Sequence, residues 1–413
     1  AQRQLDAYNA PDLERFGWEV VIAHDAEEGS EAGRAHRARV SRPPRPSGPG
    51  GPMRRGLCVR ARSWARRRWY VWAPGPWTRA QRSATPRPDR PRGPAPLHRV
   101  GDAVARNGEC VACHDDIAAE WRDSLHRAAY TSRDFQSALR SEPLPFCRGC
   151  HAPEADPRRP EPELAALGVG CVSCHLPAGD AVLSARAVDA ADEAAHPVLR
   201  AAAFATADAC ANCHQFTFPD RRPVPESMQT TVSEHRASTQ RDRSCADCHM
   251  PRVTGADGRV HRSHAFTGSR DPDGMRAAFT VRASRPAADR VRLTLDLREE
   301  SIGHAFPTGD LLRRLTLAVA VEGGATAPQR RFLARHWTRG RLGLRSLDHD
   351  DRLGVGEDPR VVEFELDPAD AGRVVDWRVR FERVQAFVGP GEDGARVVGG
   401  LDLYAGSLPA FAP

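Results

Sequence analysis

Five segments of the chain share the pattern Cys-x-x-Cys-His. Their residues are Cys110, Cys113 and His114; Cys147, Cys150 and His151; Cys171, Cys174 and His175; Cys210, Cys213 and His214; and Cys245, Cys248 and His249. The two thiols of such a segment can form thioethers with the two vinyl groups on one edge of a haem, because the two intervening residues let both sulfurs reach that edge. The histidine that follows then lies under the iron as its proximal ligand. The pattern therefore predicts five covalently attached haems c.

Cysteine pairs alone would also be compatible with zinc sites or with disulfides. The chain has 11 cysteines, and only Cys58 lies outside the five segments, where we interpret it as incidental. Histidine makes up 16 of the 413 residues, so five histidines in the required position would arise by chance with a probability on the order of 10⁻⁷. A zinc ribbon does not need a histidine there, and a thioredoxin-like motif would not recur five times. Haem attachment is therefore favoured over both alternatives.

The five segments lie close together, with starts 37, 24, 39 and 35 residues apart. This is too little chain to bury each haem separately, so neighbouring haems should touch or nearly touch. Closely spaced haems allow electrons to hop from one to the next. The density of the motif thus indicates electron transfer before any other feature is considered.

Each iron has a sixth coordination position, and other histidines are its first candidates. Those within or just after the motif region are His126, His196, His261, His264 and His304. His235 is the next candidate if one of these five is not a ligand. For each, the alternative is a surface or hydrogen-bonding histidine. Methionine is a weak competitor, because there are only four and Met250 directly follows a proximal histidine. Ligation by two histidines predicts low-potential, low-spin haems, since an axial methionine raises the potential.

Further motifs flank the five segments. They are Trp121-x-x-Ser124-x-His126, Gly168-Val169-Gly170-Cys171, Cys213-His214-Gln215-Phe216, Cys248-His249-Met250-Pro251, the pair His261 and His264, and Gly303-His304-Ala305-Phe306-Pro307-Thr308-Gly309. With these motifs, about residues 101–320 resemble the multihaem c-type cytochromes related to the tetrahaem electron acceptor of hydroxylamine oxidoreductase. The resemblance implies electron transfer by bis-histidine haems outside the cytoplasm. The chain departs from it in having five segments instead of four.

The sequence predicts three parts. Residues 1–100 are dominated by Arg, Pro, Gly and Ser. This composition predicts either a disordered segment or a stretch translated out of frame from GC-rich DNA. Residues 101–275 should form a mainly α-helical and irregular multihaem cytochrome domain. Residues 276–413 should form an antiparallel β-sandwich, because apolar residues alternate with polar ones in several runs. Three such runs are Val291, Leu293, Leu295 and Leu297; Leu315, Leu317, Val319 and Val321; and Val375, Trp377, Val379 and Phe381.

No stretch is long and apolar enough to span a membrane, and no export signal is recognisable. We nevertheless expect a periplasmic or extracellular protein, because haem attachment to this motif normally follows export. The formal net charge is +6, with 60 basic residues that are all Arg. A basic chain can bind nucleic acid, but five haems would add about ten propionate charges, which arginine pairs well. Nucleic-acid binding is therefore not expected.

Three functions remain: electron transfer, which is favoured, catalysis, and a structural or sensory role of the haems. A chain in which every haem has two histidine ligands offers no open iron and passes electrons between redox partner proteins, with association between copies of itself left open. The alternative is a multihaem oxidoreductase that acts on small nitrogen or sulfur compounds at one open haem. That iron would be the one for which His196 or His304 is not a ligand.

Overall fold

A computed structural model of the chain describes residues 102–176, 181–185, 196–218, 226–324, 327–339, 345–388 and 392–411. The predictions for residues 1–100 lie outside these described residues. Short helices come first, and a region rich in β-strands follows, as predicted. None of the described helices is long and apolar enough to cross a lipid bilayer.

The helical region, residues 102–277, consists of short helices joined by loops. The helices are α1 (Ala103–Cys113), α2 (Asp115–Arg122), α3 (Arg133–Ser141), α4 (Pro145–His151), α5 (Pro162–Ala166), α6 (Cys171–His175), α7 (Ala211–His214), α8 (Thr231–Ala237), α9 (Cys245–His249) and α10 (Pro272–Ala277). In Cys-x-x-Cys-His, the second cysteine and the histidine follow the first cysteine by three and four residues, the spacing that shares one helix face. All five segments accordingly lie on helical turns, with His114 just after α1 and Cys210 just before α7.

Small strand pairs connect some of these helices. They are β1 (Val182–Ser184) parallel to β2 (Val198–Arg200), β3 (Phe216–Thr217) antiparallel to β4 (Ser227–Gln229), and β5 (Arg252–Thr254) antiparallel to β6 (Val260–Arg262). Strands of two or three residues leave no readable alternation in a sequence. They matter here because β2 follows His196 and β6 contains His261, so they fix the chain around two candidate ligands.

The β region, residues 279–411, contains two antiparallel sheets. Its strands are β7 (Phe279–Ala287), β8 (Arg290–Leu297), β9 (Arg313–Val321), β10 (Gln329–Arg339), β11 (Arg345–Asp350), β12 (Arg360–Glu365), β13 (Val375–Phe387) and β14 (Ala395–Leu408). One sheet has the order β11-β10-β9-β13-β14 and the other has the order β12-β8-β7. Both contribute to one hydrophobic cluster, with Leu293 and Phe364 from the smaller sheet and Leu315 and Phe381 from the larger.

The predicted alternation agrees with the observed burial. On β8, Val291, Leu293 and Leu295 are completely buried, whereas the alternating residues Arg290 and Arg292 are exposed and Thr294 is half-buried. Strand residues two apart share a face, so a period of two separates core from solvent. The prediction of an antiparallel, β-rich C-terminal part is confirmed.

Replacement of Leu295 by alanine should destabilise the β region. The side chain is 0% exposed, and deleting a buried leucine leaves a cavity that typically costs about 2–5 kcal/mol. We expect the free energy of unfolding, measured by circular dichroism in denaturant, to fall by that amount. The control is Thr294→Ala, a half-buried neighbour on the opposite face of the same strand, which should change the free energy of unfolding by less than about 1 kcal/mol.

Candidate haem-binding sites

Backbone carbonyl groups accept a hydrogen bond from one ring nitrogen of several candidate ligands. Nδ1 of His151 donates to the carbonyl of Ala129 at 2.8 Å, and Nδ1 of His175 donates to that of Leu183 at 2.7 Å. A proton fixed on Nδ1 leaves the lone pair on Nε2, which is the arrangement found in metal-binding histidines. Two histidines outside the five segments show the same arrangement, in hydrogen bonds from His264 to Arg262 (2.8 Å) and from His304 to Ala305 (3.0 Å).

Burial keeps these imidazoles neutral. Burial, reinforced by neighbouring histidines, lowers the pKa of His126 and that of His214 to about 4. Burial also lowers the pKa of His151, His175, His249, His264 and His304. A neutral imidazole is the form that binds a metal. These side chains are therefore in the correct protonation state for ligation at pH 7.

Four of the five segment histidines lie beside a second histidine at nearly the same separation. The distances between ring centroids are 6.4 Å for His114 and His196, 6.4 Å for His126 and His214, 6.3 Å for His175 and His264, and 6.2 Å for His249 and His304.

This separation fits a haem iron between the rings. Imidazole nitrogens bind metals at about 2.0 Å, and the ring centroid lies about 1.1 Å behind the nitrogen, so two imidazoles on opposite sides of one ion have centroids about 6.2 Å apart. The angles between the ring planes range from 10° to 70°. Such variation is allowed, because a ring can rotate about the iron–nitrogen axis without changing the separation. The residues therefore fit bis-histidine haems.

The pairs join distant parts of the chain. His126 follows α2 in the sequence but lies beside His214 of α7, not beside the nearer His114. His264, which follows β6, lies beside His175, and His304 of the β region lies beside His249. Each of these sites therefore depends on tertiary structure.

A tight crossing of two chain segments positions His126. Val169 donates its backbone N–H to the carbonyl of His126 at 2.9 Å, and Nε1 of the buried Trp121 donates to the carbonyl of Val169 at 2.9 Å. Gly168 lies in the left-handed region with φ of 65°. A Cβ at Gly168 would lie 2.5 Å from the carbonyl oxygen of Arg127, so only glycine allows this approach.

Replacement of Gly168 by alanine should therefore displace His126. The added Cβ would collide with backbone atoms, so the loop carrying His126 would have to move. We expect a high-spin haem signal in the electron paramagnetic resonance spectrum of the oxidised protein. Gly356→Ala is the matched control, because Gly356 has φ of 71° but nothing within 4 Å of its Cβ position. Equal spectral changes in both variants would contradict a positioning role for Gly168.

A carboxylate of α2 holds the segment that carries His261 and His264. Glu120 accepts a hydrogen bond from the backbone N–H of His264 at 2.7 Å through Oε2. Its Oε1 lies 3.3 Å from Nε2 of His261. Within the described residues, His261 has no ring contact with a histidine of the five segments. Its predicted role as a ligand therefore gains no support, whereas Glu120 holds His264 near His175.

A buried network connects the segment of His304 to the helical region. Glu234 of α8 accepts a hydrogen bond from Thr308 at 3.1 Å and pairs with Arg352 at 2.7 Å. Arg352 also donates to the carbonyl of Pro307 at 3.0 Å. The side chains of Glu234 and Arg352 are only 12% and 6% exposed, which favours a fixed position for the loop that carries His304.

Aromatic rings pack against several of these histidines, and nothing in the sequence singled them out. Phe135 stacks on His151 with centroids 3.9 Å apart and an angle of 11°. Phe266 lies 4.2 Å from His126, and Phe204 stacks on His175 at 5.3 Å. Phenylalanines at irregular spacing carry no motif, so only the tertiary structure reveals them.

Thiols from different segments also meet. The thiol of Cys110 lies near that of Cys171, the thiol of Cys150 near that of Cys213, and the thiol of Cys210 near that of Cys245, and each pair of neighbours shifts the pKa of its members. The first segment therefore lies beside the third, the second beside the fourth, and the fourth beside the fifth. This proximity agrees with the close haem spacing inferred from the density of the motif.

Comparisons with known proteins concern the motif region and the fold. Residues 109–176 match the model of the family described as "Cytochrome c554 and c-prime". The fold is similar to that of a solved penta-heme cytochrome c552 from Thermochromatium tepidum, with a TM-score of 0.55 and 19% sequence identity, over 76% of this chain and 100% of that one. No curated protein sequence matches the chain. These findings support a multihaem c-type cytochrome and do not bear on a relation to hydroxylamine oxidoreductase.

Proposed function

We propose that this chain is an electron-transfer protein that carries electrons through five closely spaced haems c. The observation that carries the proposal is the common separation of 6.2–6.4 Å between the rings of four histidine pairs. Unrelated surface histidines would have no reason to share the distance that one iron imposes. The five thiol pairs and the thiol contacts between segments support covalent attachment and close packing of the haems.

We assign the axial ligands from these pairs. The pairs are His114 with His196, His214 with His126, His175 with His264, and His249 with His304. His261 is left out of this assignment because its Nε2 lies next to Glu120.

The protein's own groups would prepare and shield these sites. When bound, each haem supplies an iron that gains and loses one electron reversibly. The carbonyl groups of Leu183, Arg262 and Ala305 hold protons on the Nδ1 atoms of the ligands. Burial of the imidazoles excludes water, and a sixth position filled by histidine excludes substrates.

Spectroscopy with haem quantification tests this proposal. The oxidised protein should contain five haems per chain, and its electron paramagnetic resonance spectrum should be dominated by low-spin signals. Fewer than five haems in a fully matured sample, or high-spin signals from several irons, would contradict the assignment of four bis-histidine haems.

A second candidate function concerns the haem of His151. The ring of His151 stacks on Phe135, and the structure pairs it with no second histidine ring among the described residues. An iron at His151 with an open sixth position would suit an oxidoreductase acting on small nitrogen or sulfur compounds. The structure therefore favours the haem of His151 as the open haem of the alternative oxidoreductase function, in place of the irons near His196 and His304 that the sequence suggested. A high-spin signal from one haem that shifts on addition of nitrite, hydroxylamine or cyanide would favour the enzyme.

We infer two domains, 101–275 and 276–413, the second a β-sandwich that covers the haem region and supplies His304. We also infer redox partner proteins and a periplasmic or extracellular location. The support for this location is the chemistry of the motif, since haem attachment of this kind normally follows export.

A further inference from the structure

The outer edge of the larger sheet carries a second cluster of candidate ligands, which includes none of the residues of the Cys-x-x-Cys-His segments. His336 of β10 lies directly opposite His349 of β11 in the strand register. Asp351 follows His349 by two residues, and residues two apart along an extended chain point to the same face. The side chain of His349 on the edge strand β11 is 56% exposed, so an ion can reach the cluster from solvent.

The three side chains are close enough to share one ion. Nε2 of His336 lies 2.9 Å from Oδ1 of Asp351, and the rings of His336 and His349 are stacked with centroids 4.1 Å apart. One ligand atom from each residue lies within 4.8 Å of the others. Ligands about 2.0–2.2 Å from a metal ion lie at most about 4.4 Å from one another. A small rotation of His349, whose side chain is 56% exposed, closes that difference.

Each histidine already has the carboxylate partner that metal-binding histidines use. Nδ1 of His336 donates to Oε1 of Glu392 at 3.1 Å, and Nδ1 of His349 donates to Oδ2 of Asp348 at 2.8 Å. Glu392 is itself held by the buried Arg314 at 3.2 Å. Carboxylates in this position orient the ring and direct Nε2 to the metal. Nε2 of His336 is thus directed to Asp351, and the bond to Asp348 leaves Nε2 of His349 as its free ring nitrogen.

We propose that His336, His349 and Asp351 bind a divalent transition-metal cation, with water in the remaining coordination positions. Two imidazoles and one carboxylate suit zinc, iron, nickel or copper better than calcium or magnesium. The site uses none of the proposed haem ligands and does not depend on the electron-transfer proposal.

A salt bridge is the competing interpretation. Asp351 and Glu392 raise the pKa of His336 to about 9, so without a metal its ring is a cation between two carboxylates, and a metal must displace one proton. That interpretation accounts for His336 but assigns no role to His349, whose ring stacks on that of His336 and whose Nδ1 is bonded to Asp348.

Zinc binding to the complete, haem-loaded protein at pH 8 tests the proposal. Bound Zn²⁺ is counted after equilibration and gel filtration, and its affinity is measured by calorimetry. We expect the variant His349→Ala to lose one equivalent of zinc relative to the unmodified chain. Asp348→Asn should retain the site with affinity reduced by about 10–100-fold, the usual effect of removing an orienting carboxylate.

A carboxylate elsewhere on the sheet provides the control. Asp376 of β13 is exposed and accepts a hydrogen bond only from Ser407 among the bonds described for it, so Asp376→Asn should bind as much zinc as the unmodified chain. Equal zinc binding by the unmodified chain and His349→Ala, or loss of zinc in Asp376→Asn, would overturn the proposal. Haem content and absorption spectra identify any variant that has failed to fold.

Discussion

Replacement of His304 by alanine should convert one of the five haems, the one attached at Cys245 and Cys248, from low spin to high spin. The rings of His304 and His249 lie 6.2 Å apart and are nearly parallel, with an angle of 10°. Removing one ring would leave an open position on that iron. We expect about one fifth of the haem to become high spin, with a higher reduction potential for that haem. Electron paramagnetic resonance and a redox titration measure the two effects.

Two further measurements separate ligation from general damage to the fold. Added imidazole should restore the low-spin spectrum of His304→Ala, because a free imidazole can occupy the vacated position. His304→Met should remain low spin but raise the potential of one haem, since methionine is the ligand associated with higher potentials. An unchanged spin state in His304→Ala, with full haem content, would show that His304 is not a ligand.

Replacement of His126 by alanine should affect the haem of the fourth segment and leave that of the first unchanged. His126 lies only twelve residues beyond His114 in the sequence, yet its ring is paired with that of His214. We again expect about one fifth of the haem to become high spin. Loss of the His126 ring leaves its iron with either an open sixth position or a water molecule, which is a weaker ligand than imidazole. Electron paramagnetic resonance measures the fraction.

A second variant identifies which haem has changed. Cys210→Ala combined with Cys213→Ala removes the attachment site of the fourth haem. In that background, His126→Ala should produce no further high-spin signal, because the affected iron is already absent. A new high-spin signal there would assign His126 to another segment. The four remaining haems, quantified in both proteins, show whether the background folds.

The parts of this structure that depend on local spacing could be predicted from the sequence. The Cys-x-x-Cys-His segments form helical turns because three- and four-residue spacing defines a helix face. The runs around Leu293, Leu317 and Val379 form strands with one buried side because their period is two. Both signals extend over a few neighbouring residues and need no knowledge of the rest of the chain.

The parts that depend on distant residues could not be predicted. His196, His264 and His304 were candidate ligands, but the partner of each is set by how the chain crosses itself. The equal number of irons and candidate histidines favoured His261, whereas Glu120 lies at its Nε2. Residues such as Phe135 and Glu120 have no motif. Their roles arise from tertiary contacts.

The crossing of the histidine pairs also has a consequence for how the molecule matures. A chain is synthesised from its amino end, so His114, His175 and His249 each emerge before the histidines paired with them, and His304 emerges last. On the proposed assignment, a haem attached to one of these three segments would therefore keep an open sixth coordination position until its second histidine has emerged. The β region completes the last of these pairs. On the proposed ligand assignment, a chain truncated before residue 304 would leave the haem attached at Cys245 and Cys248 without its second histidine.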